Sequence, residues 1–204
     1  MEMLVLRHGE SVDDVEDCYG GIADFPLSAG GLRTAQDLAV RLSALQVDRV
    51  YSSPYCRALQ TASEIACTFG LAPIIIEDLR ERNSYGVLSG VTKSRARDIF
   101  AHVFRTVKGR PGDYYSDELL TGAEPRDVFD ARVKAAFEAV ARDSSHIRLV
   151  AIVTHGNVIR SLFRNVLEVR GKVELDLLAQ VRLGVEDGDF SLLSREGITI
   201  EDSN

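Results

Sequence analysis

Arginine and histidine side chains follow the apolar stretches of this sequence at two places. Arg7 and His8 come directly after a short apolar stretch at the start of the chain, and His155 closely follows the strongly apolar stretch 149–153. A further basic residue, Arg57, lies in the sequence SSPYCRALQTA. Histidine can act as a nucleophile or an acid near neutral pH, and the planar guanidinium of arginine matches the oxygens of a phosphate. These residue types together indicate a site for phosphoryl chemistry.

The elements that must position these residues follow from the spacing of apolar side chains. Short apolar runs predict strands at 3–6, 49–53, 73–76 and 149–153, of which the first and the last are expected to be buried. Helical spacing predicts helices between them, with Ser28 as an N-cap, Pro54 as a first helical residue and Gly70 as a stop. Further helices are predicted at 94–106, from Glu124-Pro125 onward, and from 156 to about 168.

The remaining segments are less regular. Residues 108–123 contain several glycines and a proline and are predicted to form a mobile loop. Short strands are predicted at 181–185, 190–193 and 198–200, with Asp187-Gly188 as a hairpin turn. Strands that alternate with helices indicate an α/β fold, a mostly parallel central sheet with helices on both faces. Ligands bind such sheets at the carboxyl ends of the strands, where Arg7, His8 and His155 are expected.

The bulk composition restricts the class of protein. A length of 204 residues with 45% hydrophobic and 27% charged residues predicts one globular domain over 1–204. The formal net charge of −7 gives no electrostatic reason to bind nucleic acid or an anionic membrane, so neither is expected as a partner. The chain starts with no basic leader or long apolar run, and its three cysteines form no CxxC pair. We therefore expect a cytoplasmic protein.

Spacing argues against two other kinds of hydrolase. A cysteine-dependent phosphatase needs an arginine six positions after its cysteine, but Asp24 follows Cys18 and Ala62 follows Cys56 at that distance. A metal hydrolase needs closely spaced ligands, and no HxH or HExxH spacing occurs among His8, His102, His146 and His155. The sequence predicts no catalytic metal and no cofactor.

Five segments resemble the histidine phosphatase superfamily, which includes the cofactor-dependent phosphoglycerate mutases. They are LVLRHGES (4–11), DFPLSAGG (24–31), VYSSPYCRALQTA (50–62), LRERNSYGVLSG (79–90) and IVTHGNVIRSL (152–162). The resemblance implies the three-layer fold of the mutases. It also implies that His8 is the nucleophile, that Arg7 and Arg57 hold the phosphoryl oxygens, and that a protonated His155 is a third donor. The substrate-binding positions that it implies are Arg7, Arg57, His155, Gly156, Asn157, Tyr85 and Lys93.

The resemblance also implies an acid that protonates the leaving group, and we assign this role to Glu81. The spacing from Glu81 to Tyr85 is one residue longer than in the mutases, and Glu77 and Asp78 are poorer alternatives. Glu10 is expected to support the loop that contains it.

Two departures from the mutases bear on the reaction. Asp14 stands where the mutases usually carry an asparagine, and its carboxylate repels a phosphate dianion unless it is turned away, protonated or paired. The basic pair that holds the substrate carboxylate in the mutases is also missing, with Arg105, Lys108 and Arg110 as loose substitutes. We therefore predict a phosphatase for a small phosphorylated metabolite, with the segment from Arg105 to Tyr115 setting substrate choice. The alternatives are a 2,3-bisphosphoglycerate-dependent phosphoglycerate mutase and a non-catalytic module that binds a phosphorylated ligand.

Overall fold

The computed structural model describes residues 1–99 and 121–201. Within these ranges one sheet contains six strands: β1 (Glu2–Arg7), β2 (Arg49–Ser52), β3 (Ile74–Ile75), β4 (Leu149–Thr154), β5 (Lys172–Glu186) and β6 (Asp189–Glu201). Their order across the sheet is β3–β2–β4–β1–β5–β6. The pairs among the first four strands are parallel, whereas β5 runs antiparallel to both β1 and β6. The prediction of an α/β fold with a mostly parallel sheet is confirmed.

Helices cover both faces of the sheet. They are α1 (Val12–Val15), α2 (Ala29–Leu42), α3 (Cys56–Thr68), α4 (Lys93–Ile99), α5 (Arg126–Asp143) and α6 (Gly156–Asn165), with 3₁₀ turns at Glu77–Leu79 and Gly86–Leu88. Side chains of β1 alternate between two cores: Met3 and Val5 pack with α5 and α6, whereas Leu4 and Leu6 pack with α2 and α3. Because both faces are buried, the strand is a continuous apolar run. No helix of the described ranges is long and apolar enough to cross a membrane.

The boundaries of two helices differ from the predictions. The structure starts α3 at Cys56 and not at Pro54, because extended Tyr55 is the N-cap and its carbonyl accepts hydrogen bonds from the first turn. Helix α6 ends at Asn165, with Val166 as its C-cap, and not near Glu168, whose left-handed φ of 52° is incompatible with a helix. The other predicted ends are confirmed: the Ser28 hydroxyl caps α2, and Gly70, with a φ of 66°, follows the end of α3.

The tail forms one long hairpin and not the short strands predicted. Strands β5 and β6 are 15 and 13 residues long. Asp187 and Gly188 have φ values of 51° and 91°, which is the pattern of a tight type I′ turn and confirms the predicted hairpin. Irregular pairing between Leu175 and Gln180 bends β5 beside the end of β1.

Two predictions concern the segment after Gly90. The helix predicted at 94–106 is observed as α4, from Lys93 to Ile99, and the rest of that prediction lies outside the described residues. Most of the predicted loop 108–123 is also outside them, as are Arg105, Lys108, Arg110 and Tyr115.

The start of α2 touches the backbone of the loop that follows β1. A Cβ atom added to Gly31 would lie 1.9 Å from the carbonyl oxygen of Glu10, and one added to Gly9 would lie 3.0 Å from the carbonyl oxygen of Gly31. Only glycine permits this approach. The Glu10 side chain accepts a hydrogen bond of 2.5 Å from the Ser28 hydroxyl. These contacts fix the loop behind His8 against α2 and give Glu10 the supporting role that was expected.

The two adjacent glycines of α2 give a matched test of this contact. Gly31→Ala forces a methyl group into the backbone of Glu10, so we expect a loss of about 1–3 kcal/mol in the free energy of unfolding. Gly30→Ala has its nearest neighbours at 3.5 Å and should be neutral or stabilising by up to about 1 kcal/mol. Urea denaturation followed by circular dichroism measures both. Equal effects of the two substitutions would contradict the proposed close packing.

Candidate active site

The carboxyl ends of the neighbouring strands β1 and β4 bring two histidines together. Arg7 pairs with Thr154 in the parallel register, and the backbone N–H of His8 donates to the carbonyl oxygen of Thr154 at 3.0 Å. The rings of His8 and His155 lie edge to face, with their centroids 5.1 Å apart. Both side chains are buried. The structure therefore brings together the two histidines that the sequence placed at strand ends.

One ring nitrogen of His8 is held by the backbone. Its Nδ1 lies 2.7 Å from the carbonyl oxygen of Gly9, which can only accept, so Nδ1 carries the proton. In the neutral ring the lone pair is then on Nε2. Burial, followed by the charges of Arg57 and Arg7, holds the pKa of His8 well below its ordinary value. His8 is therefore a neutral imidazole near pH 7 with a defined tautomer, as a nucleophile requires.

Arg57 is fixed by the backbone of the loop that precedes α2. This side chain is 2% exposed, and its two terminal nitrogens donate to the carbonyl oxygens of Ala23 at 2.9 Å and Gly21 at 3.0 Å. Each terminal nitrogen carries two hydrogens, so further donors remain after these bonds form. Tyr55 packs against the guanidinium, with 5.2 Å from its ring centroid to Cζ.

Arg7 is anchored to the start of β5. Its Nη1 donates to the carbonyl oxygen of Leu175 at 2.9 Å, while its buried Nε has no hydrogen-bond partner among the described residues. Burial lowers the pKa of Arg7, and the nearby carboxylates of Asp14 and Glu81 oppose that shift. A buried N–H without a partner costs about 1–3 kcal/mol, which an anionic ligand would offset.

His155 lies between Ser53 and His8. Its Nε2 is 2.6 Å from the hydroxyl oxygen of Ser53, and its buried Nδ1 has no partner among the described residues. Burial lowers the pKa of His155 well below its ordinary value, and His8, Arg57 and Arg7 lower it further. In the ligand-free protein the loss of hydration and the neighbouring charges both disfavour imidazolium, so the protonated His155 that the resemblance implies is a prediction for the site with a bound anion.

Glu81 reaches the helix that follows His155. Its Oε2 accepts a hydrogen bond of 3.2 Å from the backbone N–H of Asn157, in the first turn of α6, and its Oε1 accepts one of 2.7 Å from the N–H of Arg82. Of the alternative acids, Asp78 pairs with the exposed Arg80. The structure thus joins Glu81 to the cluster, at a helix N-terminus that favours an anion.

The carboxylate of Asp14 is turned back onto its own helix. Its Oδ2 accepts from the backbone N–H of Ser11 at 2.9 Å and from the Ser11 hydroxyl at 3.0 Å, which forms a capping box at the start of α1. Hydrogen bonds to two donors occupy one of its oxygens. This is one of the conditions under which a carboxylate is tolerated near a phosphate site.

The two remaining predicted positions lie to one side of the cluster. The ring of Tyr85 packs against Tyr19 with centroids 4.9 Å apart, and it lies beside Gly21, whose carbonyl binds Arg57. Lys93 forms an ion pair with Asp17. The described contacts connect Tyr85 to the cluster through the Gly21 loop, but they do not bring Lys93 into it.

Sequence reasoning did not assign roles to several supporting residues. Ser53 and Thr61 both lie within SSPYCRALQTA, and the Thr61 hydroxyl accepts from the N–H of Gly9 at 3.1 Å. Arg132 and Glu124 form a two-point ion pair behind Glu81, with distances of 2.7 and 2.8 Å. Arg132 and Glu124 are far from Glu81 in the chain, so no local motif predicts that they lie together.

In the described ranges, no three His, Cys, Asp or Glu side chains converge as a possible metal site.

Comparison with known proteins places these features in a family. Residues 3–195 match the model of the histidine phosphatase superfamily, branch 1. The chain is 33% identical over 191 residues to phosphoglycerate mutase-like protein 4 of Arabidopsis thaliana, covering 92% of this chain and 81% of that protein. It is 29% identical to phosphoserine phosphatase 1 of Hydrogenobacter thermophilus, covering 96% and 87%.

A solved structure shares the fold. The α-ribazole phosphatase of Shigella flexneri superposes with a TM-score of 0.81 and 23% identity, and the match covers 100% of both chains. The six-stranded sheet and its helices are therefore the architecture of a known group of proteins. Together with the family match over residues 3–195, they show that this chain is an enzyme that belongs to the histidine phosphatase superfamily.

Proposed function

We propose that the enzyme hydrolyses a phosphomonoester of a small metabolite through a phosphohistidine intermediate on His8. The observation that carries this proposal is the geometry of His8. Its Nδ1 is fixed by Gly9, its Nε2 is left with a lone pair, and burial, followed by the charges of Arg57 and Arg7, lowers its pKa. A neutral nucleophile beside two fixed cations suits attack on a phosphate dianion.

The first step transfers the phosphoryl group. The lone pair on Nε2 of His8 attacks phosphorus, and the bond from phosphorus to the leaving oxygen breaks. Arg7 and Arg57 stabilise the equatorial oxygens, and the unpartnered Nδ1 of His155 is a further donor when it carries a proton. The bound dianion favours that proton, because it opposes the positive charge that lowers the pKa of His155 in the ligand-free protein. Gly156 and Asn157 lie in the first turn of α6, and the backbone N–H groups at a helix N-terminus also favour an anion.

Glu81 transfers a proton in each of the two steps, formation of the phosphohistidine and its hydrolysis. As an acid it gives a proton to the leaving oxygen, and as a carboxylate it then takes a proton from water. The water oxygen attacks phosphorus, the bond to Nε2 of His8 breaks, and inorganic phosphate leaves. Tyr85 is assigned to substrate binding because it contacts Gly21, whose carbonyl binds Arg57. Lys93 can bind substrate only if its ion pair with Asp17 breaks.

Two features of the sequence favour hydrolysis over a mutase reaction. A mutase must hold a bisphosphorylated ligand and exclude water, and Asp14 adds a negative charge where the mutases usually carry a neutral side chain. The chain also lacks the paired arginines that hold the substrate carboxylate in the mutases. Both differences weaken the binding of a bisphosphate more than the binding of a monoester.

The products distinguish the candidate functions. Purified enzyme is incubated with 3-phosphoglycerate and a trace of 2,3-bisphosphoglycerate, and separately with phosphoserine and other phosphorylated metabolites. We expect free phosphate without isomer, and we expect His8→Ala to lose at least about a thousandfold in kcat because it lacks the nucleophile. A phosphate-release assay and separation of the isomers measure both products.

Each of the other possible results would indicate a different function or mechanism. Isomer without phosphate release would identify a mutase. Comparable turnover by His8→Ala would rule out a phosphohistidine on this residue. Saturable binding of phosphorylated metabolites with neither product would identify a non-catalytic binding module.

Glu81→Gln tests the assignment of the acid. Phenolate is a poorer leaving group than p-nitrophenolate, so loss of the acid should slow phenyl phosphate about ten to a hundred times more than p-nitrophenyl phosphate. Asp78→Asn is the matched control, because that carboxylate pairs with Arg80 at the surface. An equal loss on both substrates would assign the acid to another group.

The lowered pKa values of the histidines predict their titration. Both rings in the ligand-free protein should remain neutral as the pH falls to 6.5 and should gain protons only below that value, because burial and the neighbouring positive charges disfavour imidazolium. Inorganic phosphate should raise the midpoints. Nitrogen-15 NMR of the rings, assigned with His8→Gln and His155→Gln, measures this. A midpoint at or above 6.5 without phosphate would contradict the electrostatic description.

A further inference from the structure

We infer that Arg132 and Glu124 form a clamp that positions Glu81, and that Arg132 is therefore a positioning residue for the acid step. This inference rests on the proposed function, which assigns the acid role to Glu81. It concerns two residues that do not belong to any of the five segments that resemble the superfamily.

The contacts of Arg132 converge on the segment that contains Glu81. Its Nη1 donates to the carbonyl oxygens of Asp78 at 2.8 Å and Arg80 at 2.9 Å, and its Nη2 donates to that of Glu81 at 3.3 Å. One guanidinium thus binds three carbonyl groups within four residues. These bonds fix the path of the backbone just before and at Glu81.

Glu124 holds the guanidinium in the orientation that makes these bonds possible. Its two carboxylate oxygens accept from Nε and Nη2 of Arg132 at 2.7 and 2.8 Å, and the two side chains are 9% and 15% exposed. A planar, two-point pair of this kind fixes direction as well as distance. The backbone carbonyl of Glu124 also accepts from Nε and Nη2 of Arg82, the residue after Glu81.

The segment is fixed on its other sides as well. The Thr154 hydroxyl donates to the carbonyl oxygen of Leu79 at 2.7 Å, which ties the segment to the end of β4. The Glu124 N–H donates to the carbonyl oxygen of Asn83 at 2.8 Å. With its backbone held from both directions, Glu81 can keep one oxygen against the N–H of Asn157 at the start of α6. Precise placement of an acid matters because proton transfer depends steeply on geometry.

Arg132→Lys removes the geometry of the clamp and keeps the positive charge of residue 132. Lysine keeps the positive charge, but its single ammonium cannot reproduce the planar fork that binds Glu124 and three carbonyls together. Arg142→Lys is the matched control, since Arg142 is an exposed arginine on the same helix. Glu124→Gln is the second variant, which keeps the size of the side chain but removes its negative charge and one of the two acceptors for Arg132, and it takes the same tests if Arg132→Lys does not fold.

The first measurement needs no turnover. Hydrogen exchange of the Arg82 and Asn157 amides, the two backbone donors to Glu81, should be faster by about tenfold in Arg132→Lys than in the wild type, and unchanged in Arg142→Lys. Unchanged exchange of both amides would overturn the clamp whatever the role of Glu81 in the reaction.

The second measurement uses substituted phenyl phosphates of increasing leaving-group pKa. Arg132→Lys should lose about tenfold more kcat/KM on phenyl phosphate than on p-nitrophenyl phosphate, and adding it to Glu81→Gln should cause little further change in that ratio. A uniform loss over the series, or losses that multiply in the double variant, would overturn the positioning role. If Glu81→Gln itself leaves the series unchanged, the proposed acid is wrong, and the exchange result alone decides whether the clamp exists.

Discussion

Two arginines and two histidines, all of which can carry a positive charge, are largely buried next to one another, and the surrounding structure has to compensate for this. His8, His155 and Arg57 are 6%, 0% and 2% exposed, and Arg7 is close enough to lower the pKa of both rings. Such a cluster loses hydration and repels itself. Among the described residues, the hydrogen bonds that hold these groups come from the backbone carbonyls of Gly9, Gly21, Ala23 and Leu175, while the carboxylates of Asp14 and Glu81 act on Arg7 through their charge. Carbonyl dipoles hold the cations without neutralising them, so the cluster keeps its attraction for an anion.

That compensation requires loops to approach the strand ends very closely. The loop after β1 lies against α2 only because Gly9 and Gly31 have no side chains, and Thr61 of α3 holds the N–H of Gly9. The bend in β5 brings the carbonyl of Leu175 to Arg7. His8, the proposed nucleophile, therefore directly follows a strand that is buried on both faces and lies in a loop that α2 and α3 hold in place. Groups fixed before the ligand binds favour stabilisation of the transition state over reorganisation.

The sequence was sufficient for those parts of the fold and site that depend on local patterns. The run at 149–153 identified a central strand because only a strand buried on both faces is apolar at every position, and the capping role of Ser28 followed from its residue type and the helical spacing after it. The lowered pKa of His155 could not be predicted, because it depends on burial and on neighbours that come from different elements of the fold. The hydrogen bonds of Arg132 to the segment 78–81 could not be predicted either, because helix α5 contacts that segment only in the folded protein. The left-handed conformation of Glu168, just beyond α6, could not be predicted from its residue type either.

The proposed nucleophile and the proposed acid are held in place in different ways. His8 depends on the sheet and on backbone contacts made by neighbouring elements, so its position is part of the core of the fold. Glu81 lies in a segment with little regular structure, and its position depends on side chains from α5 and from the residues just before that helix. Changes at Glu124 or Arg132 can therefore alter where the proposed acid stands relative to the leaving group, while the proposed phosphoryl-binding cluster stays intact. This separation is a physical reason why one arrangement of two histidines and two arginines can serve substrates with different leaving groups.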